Sequence, residues 1–199
     1  MQSVNRSSDD IVDLKKLAEG GSNRTFLITM HDGFQMVARI PYLATTPKYF
    51  AVASEVATMD LLRSSGLPIP KVYGYSPVPG NVAGTEYISM EFVRGTILSD
   101  IWFDLEEKDI ISISCQLAKL ESKMVSITFP AGGSVYYTKD LEVAGRPGTL
   151  LEDERFCIGP DTRLPLWYGR RSQLDIDRGP CRPLLAFFYY PFKLTDNYR

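Results

Sequence analysis

The chain has 199 residues, 44% of them hydrophobic and 23% charged, and a net charge of -2. That is the balance of a globular protein long enough to bury a core. It carries neither a basic stripe matched to nucleic-acid phosphates nor an apolar run near the roughly 20 residues that span a bilayer. Cys115, Cys157 and Cys181 are odd in number and scattered, which argues against a disulfide framework and for a reducing compartment. His31 is the only histidine, so a His-based zinc site is excluded, and its His31-Asp32-Gly33 setting predicts a solvated turn.

The elements follow in chain order. Met1 to Asp10 is polar, has no apolar signal-peptide core, and holds two Asp against one Arg, a poor mitochondrial presequence. Ile11 to Ala18 predicts a short strand or turn entering Gly20-Gly21-Ser22-Asn23. Phe26, Ile28 and Met30 alternate with polar neighbours, then Phe34, Met36, Ala38 and Ile40 do so after Asp32-Gly33, predicting a hairpin closed by Pro41. Val52, Val56, Met59 and Leu62 predict a helix over 51–65, with Gly66 as its stop. Pro68 and Pro70 force extension into Val72 to Tyr75, 77–84 reads as a Pro/Gly loop, and 86–93 as a strand. Ile110, Ile113, Leu117, Leu120, Met124 and Ile127 predict the strongest helix, over 105–127, with Asp104 as N-cap and Glu107 completing the box. Ser134 to Thr138 and parts of 156–171 suggest short strands.

Glycines between two strands let backbone N–H groups approach an anion. Taken alone, Gly20-Gly21 is more often a plain turn, and an Arg39–Glu55 pair is a surface contact worth about 0–1 kcal/mol. Their order changes the odds. A glycine turn, a strand cation, a helix Glu and the extended segment 88–93 resemble the N-terminal lobe of the kinase-like fold. More closely, the chain is similar to the aminoglycoside-phosphotransferase family of small-molecule kinases, and within it to the fungal branch named for altered inheritance of mitochondria. The matching segments include Leu17-Ala18-Glu19-Gly20-Gly21-Ser22-Asn23-Arg24, Val37-Ala38-Arg39-Ile40-Pro41, Ser54-Glu55-Val56-Ala57-Thr58-Met59 and Pro68-Ile69-Pro70-Lys71-Val72-Tyr73. Ser99-Asp100-Ile101-Trp102, Phe156-Cys157-Ile158-Gly159-Pro160 and Leu174-Asp175-Ile176-Asp177-Arg178-Gly179-Pro180 complete the pattern.

The resemblance implies an α+β fold. Residues 16–94 form a kinase-like N-lobe, an antiparallel sheet plus one helix, and residues 95–180 an incomplete, mostly helical C-lobe. Residues 1–15 are a loose N-terminus and 181–199 an atypical tail. It also implies roles. Gly20, Gly21, Ser22 and Asn23 lie over the phosphates of ATP, with magnesium entering only with the nucleotide. Arg39 stands where most relatives carry a phosphate-touching Lys, and Glu55 orients it; Arg is planar and forked, which changes the geometry. Met90, Glu91, Phe92 and Val93 form the hinge that holds the adenine edge. Phosphoryl transfer further needs a catalytic-loop Asp and a metal-binding Asp. The resemblance implies that these come late in the chain, in a His/Asn-x-Asp…Asn segment and a short Asp motif; His31 comes too early for the first, and Asp175 and Asp177 precede Arg178-Gly179-Pro180, which resembles a non-catalytic segment. No catalytic residue is therefore assigned and no phosphotransfer is expected. After Pro180 the run Leu184-Leu185-Ala186-Phe187-Phe188-Tyr189-Tyr190-Pro191-Phe192 departs from the family, and the expectation is a truncated or misspliced product. The resemblance points to mitochondria and the N-terminus does not, leaving the cytosol as the alternative. Three other readings stand beside ATP binding: an interaction protein that docks through its sheet, an active kinase using Asp140, Asp161 or Asp175, and a fragment with no function of its own.

Overall fold

A computed structural model describes residues 7–181, so the start of the expected loose N-terminus and nearly all of the atypical tail lie outside the described residues. Strands β1 (Ile11–Glu19), β2 (Asn23–Met30) and β3 (Gln35–Pro41) lead into helix α1 (Lys48–Ser64), and β4 (Val72–Ser76) and β5 (Tyr87–Glu91) follow. A short helix α2 (Leu98–Ile101) and a tight turn over Trp102–Asp104 precede α3 (Glu107–Val125). Then come β6 (Ser134–Tyr137), α4 (Thr138–Val143), β7 (Thr149–Leu150) and β8 (Phe156–Gly159), with single helical turns at Leu164–Leu166 and Gly169–Gln173.

The first five strands form one antiparallel sheet in the order β1-β2-β3-β5-β4. The hairpin is the one that the alternation predicts. Asp32 Oδ1 accepts the Phe34 N–H at 3.0 Å and Gly33 takes φ 79°, a left-handed backbone suited to glycine. His31 is exposed in that turn, its N–H donating to the Asp10 carbonyl at 2.8 Å.

Helix α1 begins at Lys48, earlier than its apolar spacing predicts. The extra turn carries Tyr49 and Phe50, which pack onto the second sheet beside Tyr136 and Leu141. At its other end Gly66 adopts φ 77° and its N–H caps the Arg63 carbonyl at 2.8 Å, the stop that the sequence predicts. The buried residues of α1 fall on two sides. Val52 and Val56 join Val37, Ile88 and Met90 of the five-stranded sheet. Ala57 and Leu61 join Val135, Phe156 and Ile158, while Ala53 joins Tyr136, Leu141 and Cys157. A helix apolar on more than one side is a buried helix. Here it is buried by a second sheet of order β6-β8-β7. Residues 134–159, placed by sequence in the second lobe, thus fold back on α1.

Helix α3 stands apart from this core. None of its residues is buried, and Leu117 and Met124 of its apolar stripe are exposed. Among the described residues it is tied to the rest of the chain by Lys123 Nζ, which donates to the Gly66 carbonyl at 2.9 Å. The N-cap is Glu106 with no side-chain cap bond, a correction to the expected Asp104 capping box. Asp104 instead ends the turn at Trp102–Asp104, two positions before the cap.

Candidate functional site

Three neighbouring strands and one helix bring most of the expected residues together. Gly20, Gly21 and Ser22 form an exposed turn between β1 and β2, closed by the Gly20 N–H on the Asn23 carbonyl at 2.9 Å. The Ser22 carbonyl accepts the Tyr42 N–H at 3.0 Å and the Thr45 hydroxyl at 2.8 Å. The turn is therefore pinned to the chain leaving β3. Neither Tyr42 nor Thr45 was expected in the site; nothing in their local sequence announces bonds to a residue as far away as Ser22.

The turn's own packing does not require its glycines. Neither Gly20 nor Gly21 has a left-handed φ. A Cβ on Gly21 would meet nothing within 4 Å, and one on Gly20 would come no nearer than 3.8 Å to the Asn23 carbonyl oxygen. What glycine adds at these positions is clear space over the backbone.

Register then fixes the cation. Asn23 of β2 faces Pro41 of β3, so Arg39 faces Thr25, two residues into β2 from the turn. The Arg39 side chain projects to the α1 side of the sheet, where its guanidinium donates to the Glu55 carboxylate. Both side chains are about one-third exposed, at 35% and 30%, so the pair is reachable from solvent and contributes about 0–1 kcal/mol to folding. Partial burial pulls Arg39 below its usual value, yet a guanidinium stays charged at any physiological pH.

Of the expected hinge, Met90 is a core residue, 4% exposed and opposite Val37 in the ladder. Glu91 closes β5: its N–H donates to the Lys71 carbonyl at 2.8 Å, and its carboxylate accepts the Lys71 N–H at 3.0 Å. Phe92 packs against the Val37–Met90 core and Val93 is exposed beyond the strand. The two residues past the strand end are thus the ones free of the ladder.

The other acids weighed as catalytic groups lie elsewhere. Asp140 is buried behind β4, the sheet edge opposite the glycine turn, and accepts the Tyr75 hydroxyl at 2.8 Å; Tyr49 donates to its carbonyl at 2.7 Å. Burial pushes its carboxyl above the usual range, with the Tyr75 hydrogen bond and Lys139 opposing. Burial first, then Asp140, raises the Tyr75 phenol, so it remains a donor. Asp161, 5% exposed, clamps its own loop by accepting the Arg163 N–H at 2.9 Å and Nε at 2.7 Å. Asp175 borders a separate cavity of about 350 Å³ with Phe50, Trp167 and Arg178. Arg178 stacks on Trp167 at 3.9 Å, and Asp177 Oδ1 accepts the Gly179 N–H at 2.9 Å. Among the described residues no group of three or more His, Cys, Asp or Glu is placed to hold a metal ion.

Comparison with known proteins gives this geometry a setting. The profile of the phosphotransferase enzyme family matches residues 13–140. A subtelomeric hrmA-associated cluster protein of Aspergillus fumigatus is 44% identical over 178 residues, covering 88% of this chain and 34% of its own length. Proteins named altered inheritance of mitochondria protein 9, mitochondrial, are similar too. The one from Lodderomyces elongisporus is 30% identical over 84% of this chain and 29% of itself, and the one from Candida dubliniensis 33% identical over 74% and 26%. The chain therefore spans between about a quarter and a third of the length of these relatives.

Proposed function

Since the chain belongs to the phosphotransferase enzyme family, we propose that its residues 16–94 form a nucleotide-holding lobe that binds ATP without themselves transferring its phosphate. The observation that carries this reading is the Arg39–Glu55 pair, held on the α1 face of the sheet beside the pinned glycine turn. The turn offers open backbone at Gly20 and Gly21, and Ser22 and Asn23 add polar groups. Arg39 supplies a fixed positive charge for the α and β phosphates, and Glu55 keeps it in place when the site is empty. Phe92 and Val93 supply the backbone edge for the adenine, with Met90 and Glu91 anchoring that segment to the sheet. Magnesium enters with the nucleotide in this reading.

Transfer requires an acid beside the acceptor hydroxyl and another on the metal. Asp140, Asp161 and Asp175 serve neither role in this reading, since Asp140 lies off the far sheet edge, Asp161 clamps its own loop and Asp175 borders another cavity. The mitochondrial location in the names of the yeast relatives is carried over as part of the same proposal.

A thermal-shift titration of the chain with ATP, with and without magnesium, tests the proposal. A ligand that binds the native state raises the melting midpoint, by about 2.7 kcal/mol of stability at 100 times its Kd. We expect the midpoint to climb with ATP concentration and Arg39→Ala to remove most of the climb. A cooperative melt that ATP never moves would sink the nucleotide reading and favour an interaction protein. Magnesium-dependent ATP turnover by the wild-type chain would overturn the non-catalytic half.

A further inference from the structure

A cavity of about 230 Å³ opens between the C-terminal half of α1 and the segment Pro70–Tyr75 that runs into β4. β4 is the end strand of its sheet, so the cavity lies at an open edge, away from the glycine turn. Its inner wall is apolar and aromatic: Met59 of α1, Val72 of β4 and the ring of Tyr75 all pack around the Val56 core. Two exposed cations, Arg63 and Lys71, also line it.

The charge balance of this lining is uneven. Among the described residues Asp60 is the one acid of the lining, and it is already engaged, accepting the Tyr137 hydroxyl at 2.8 Å and facing Arg155 at 3.7 Å. Among the described residues neither the Arg63 guanidinium nor the Lys71 ammonium forms an ion pair; the Glu91 carboxylate accepts the backbone N–H of Lys71 at 3.0 Å, and Arg63 Nη1 donates to the Ile69 carbonyl at 2.8 Å. A concave apolar wall beside two side-chain cations that form no ion pair is complementary to a flat apolar body carrying one negative charge. The volume is below the usual range of roughly 300–1,000 Å³ for ligand pockets, which limits the body to one or two rings.

We propose that this cavity binds a small anionic aromatic molecule, an aryl carboxylate, with its ring against Met59, Val72 and Tyr75 and its carboxylate on Lys71 and Arg63. The site shares α1 with Glu55 but requires no nucleotide.

Titration of the full chain with 2-naphthoate, followed by calorimetry and by backbone amide chemical shifts, tests it. Saturable binding is expected, with the shifts clustered on the α1 C-terminal half and 70–75. The uncharged 2-naphthamide should bind at least about tenfold more weakly, the size of effect one charge-assisted contact supplies. Lys71→Glu, a surface change that leaves the core intact, should weaken naphthoate by a similar factor, and Met59→Trp, which fills the cavity, should abolish binding. Excess ATP should not displace the probe. Absence of saturable binding, equal affinity for the amide, an unchanged affinity in Lys71→Glu, or displacement by ATP would each overturn the proposal.

Discussion

Arg39 and Glu55 lie 16 residues apart, on different elements, and meet because β3 and α1 pack face to face. Their value lies in position, since an ion pair this exposed adds little to stability. Asp140 shows the opposite balance. It is 9% exposed and its carboxyl is held above the ordinary value of 3.8, chiefly by burial. The folded state thus favours the protonated form. The stability this group contributes is fully present below its unfolded pKa and is lost as pH rises through the raised folded value. Asp140→Asn keeps an acceptor for the Tyr75 hydroxyl and removes the charge. We therefore expect the variant to gain on the wild type in melting temperature as pH rises over the range above the ordinary value of 3.8. A difference that stays constant across that range would refute the assignment.

At the scale of elements, α1 and α3 have similar lengths and opposite fates. The apolar residues of α1 are buried on two sides, whereas the regular apolar stripe of α3 buries none. Periodicity states which face of a helix is apolar, and only the partner decides whether that face earns stability. Leu117→Gln on α3 should therefore change stability by less than about 0.5 kcal/mol, the usual range for surface substitutions. Ile158→Ala in β8, at a site 2% exposed, should cost about 2–5 kcal/mol. Urea unfolding of both variants measures this directly. A Leu117→Gln loss as large as that of Ile158→Ala would mean that α3 is covered by chain beyond the described residues or by a second molecule.

On the scale of the whole molecule, the organising feature is one helix between two sheets. Ala53 and Ala57 are fully buried where α1 meets the β6-β8-β7 sheet, and their small size lets it approach closely. Tyr49 and Tyr75 tie α1 and β4 to Asp140 at the start of α4. The two sheets should thus unfold together. Ala57→Leu overpacks the joint and should cost about 1–3 kcal/mol while preserving a single transition. Two resolved transitions in the calorimetric melt of this variant would show that the sheets fold independently.

Local chemistry made much of the fold legible. Period-two alternation around Asp32-Gly33 predicts the hairpin, Gly66 the end of α1, and the spacing of Ile110 to Met124 an amphipathic α3, because these signals reside within a few residues of the chain. The ordered appearance of Gly20-Gly21, Arg39 and Glu55 also pointed to the lobe and to its ion pair. Sequence could not show that Tyr42 and Thr45 pin the turn, or that Tyr75 meets Asp140 across 65 residues. Nor did it show that residues 134–159 return to cover α1 instead of standing in a second lobe. The amino-acid sequence by itself determined the periodicity, the turns and the family. The tertiary structure alone decided which apolar faces are covered and which acids are buried, because burial depends on partners that come from distant parts of the chain.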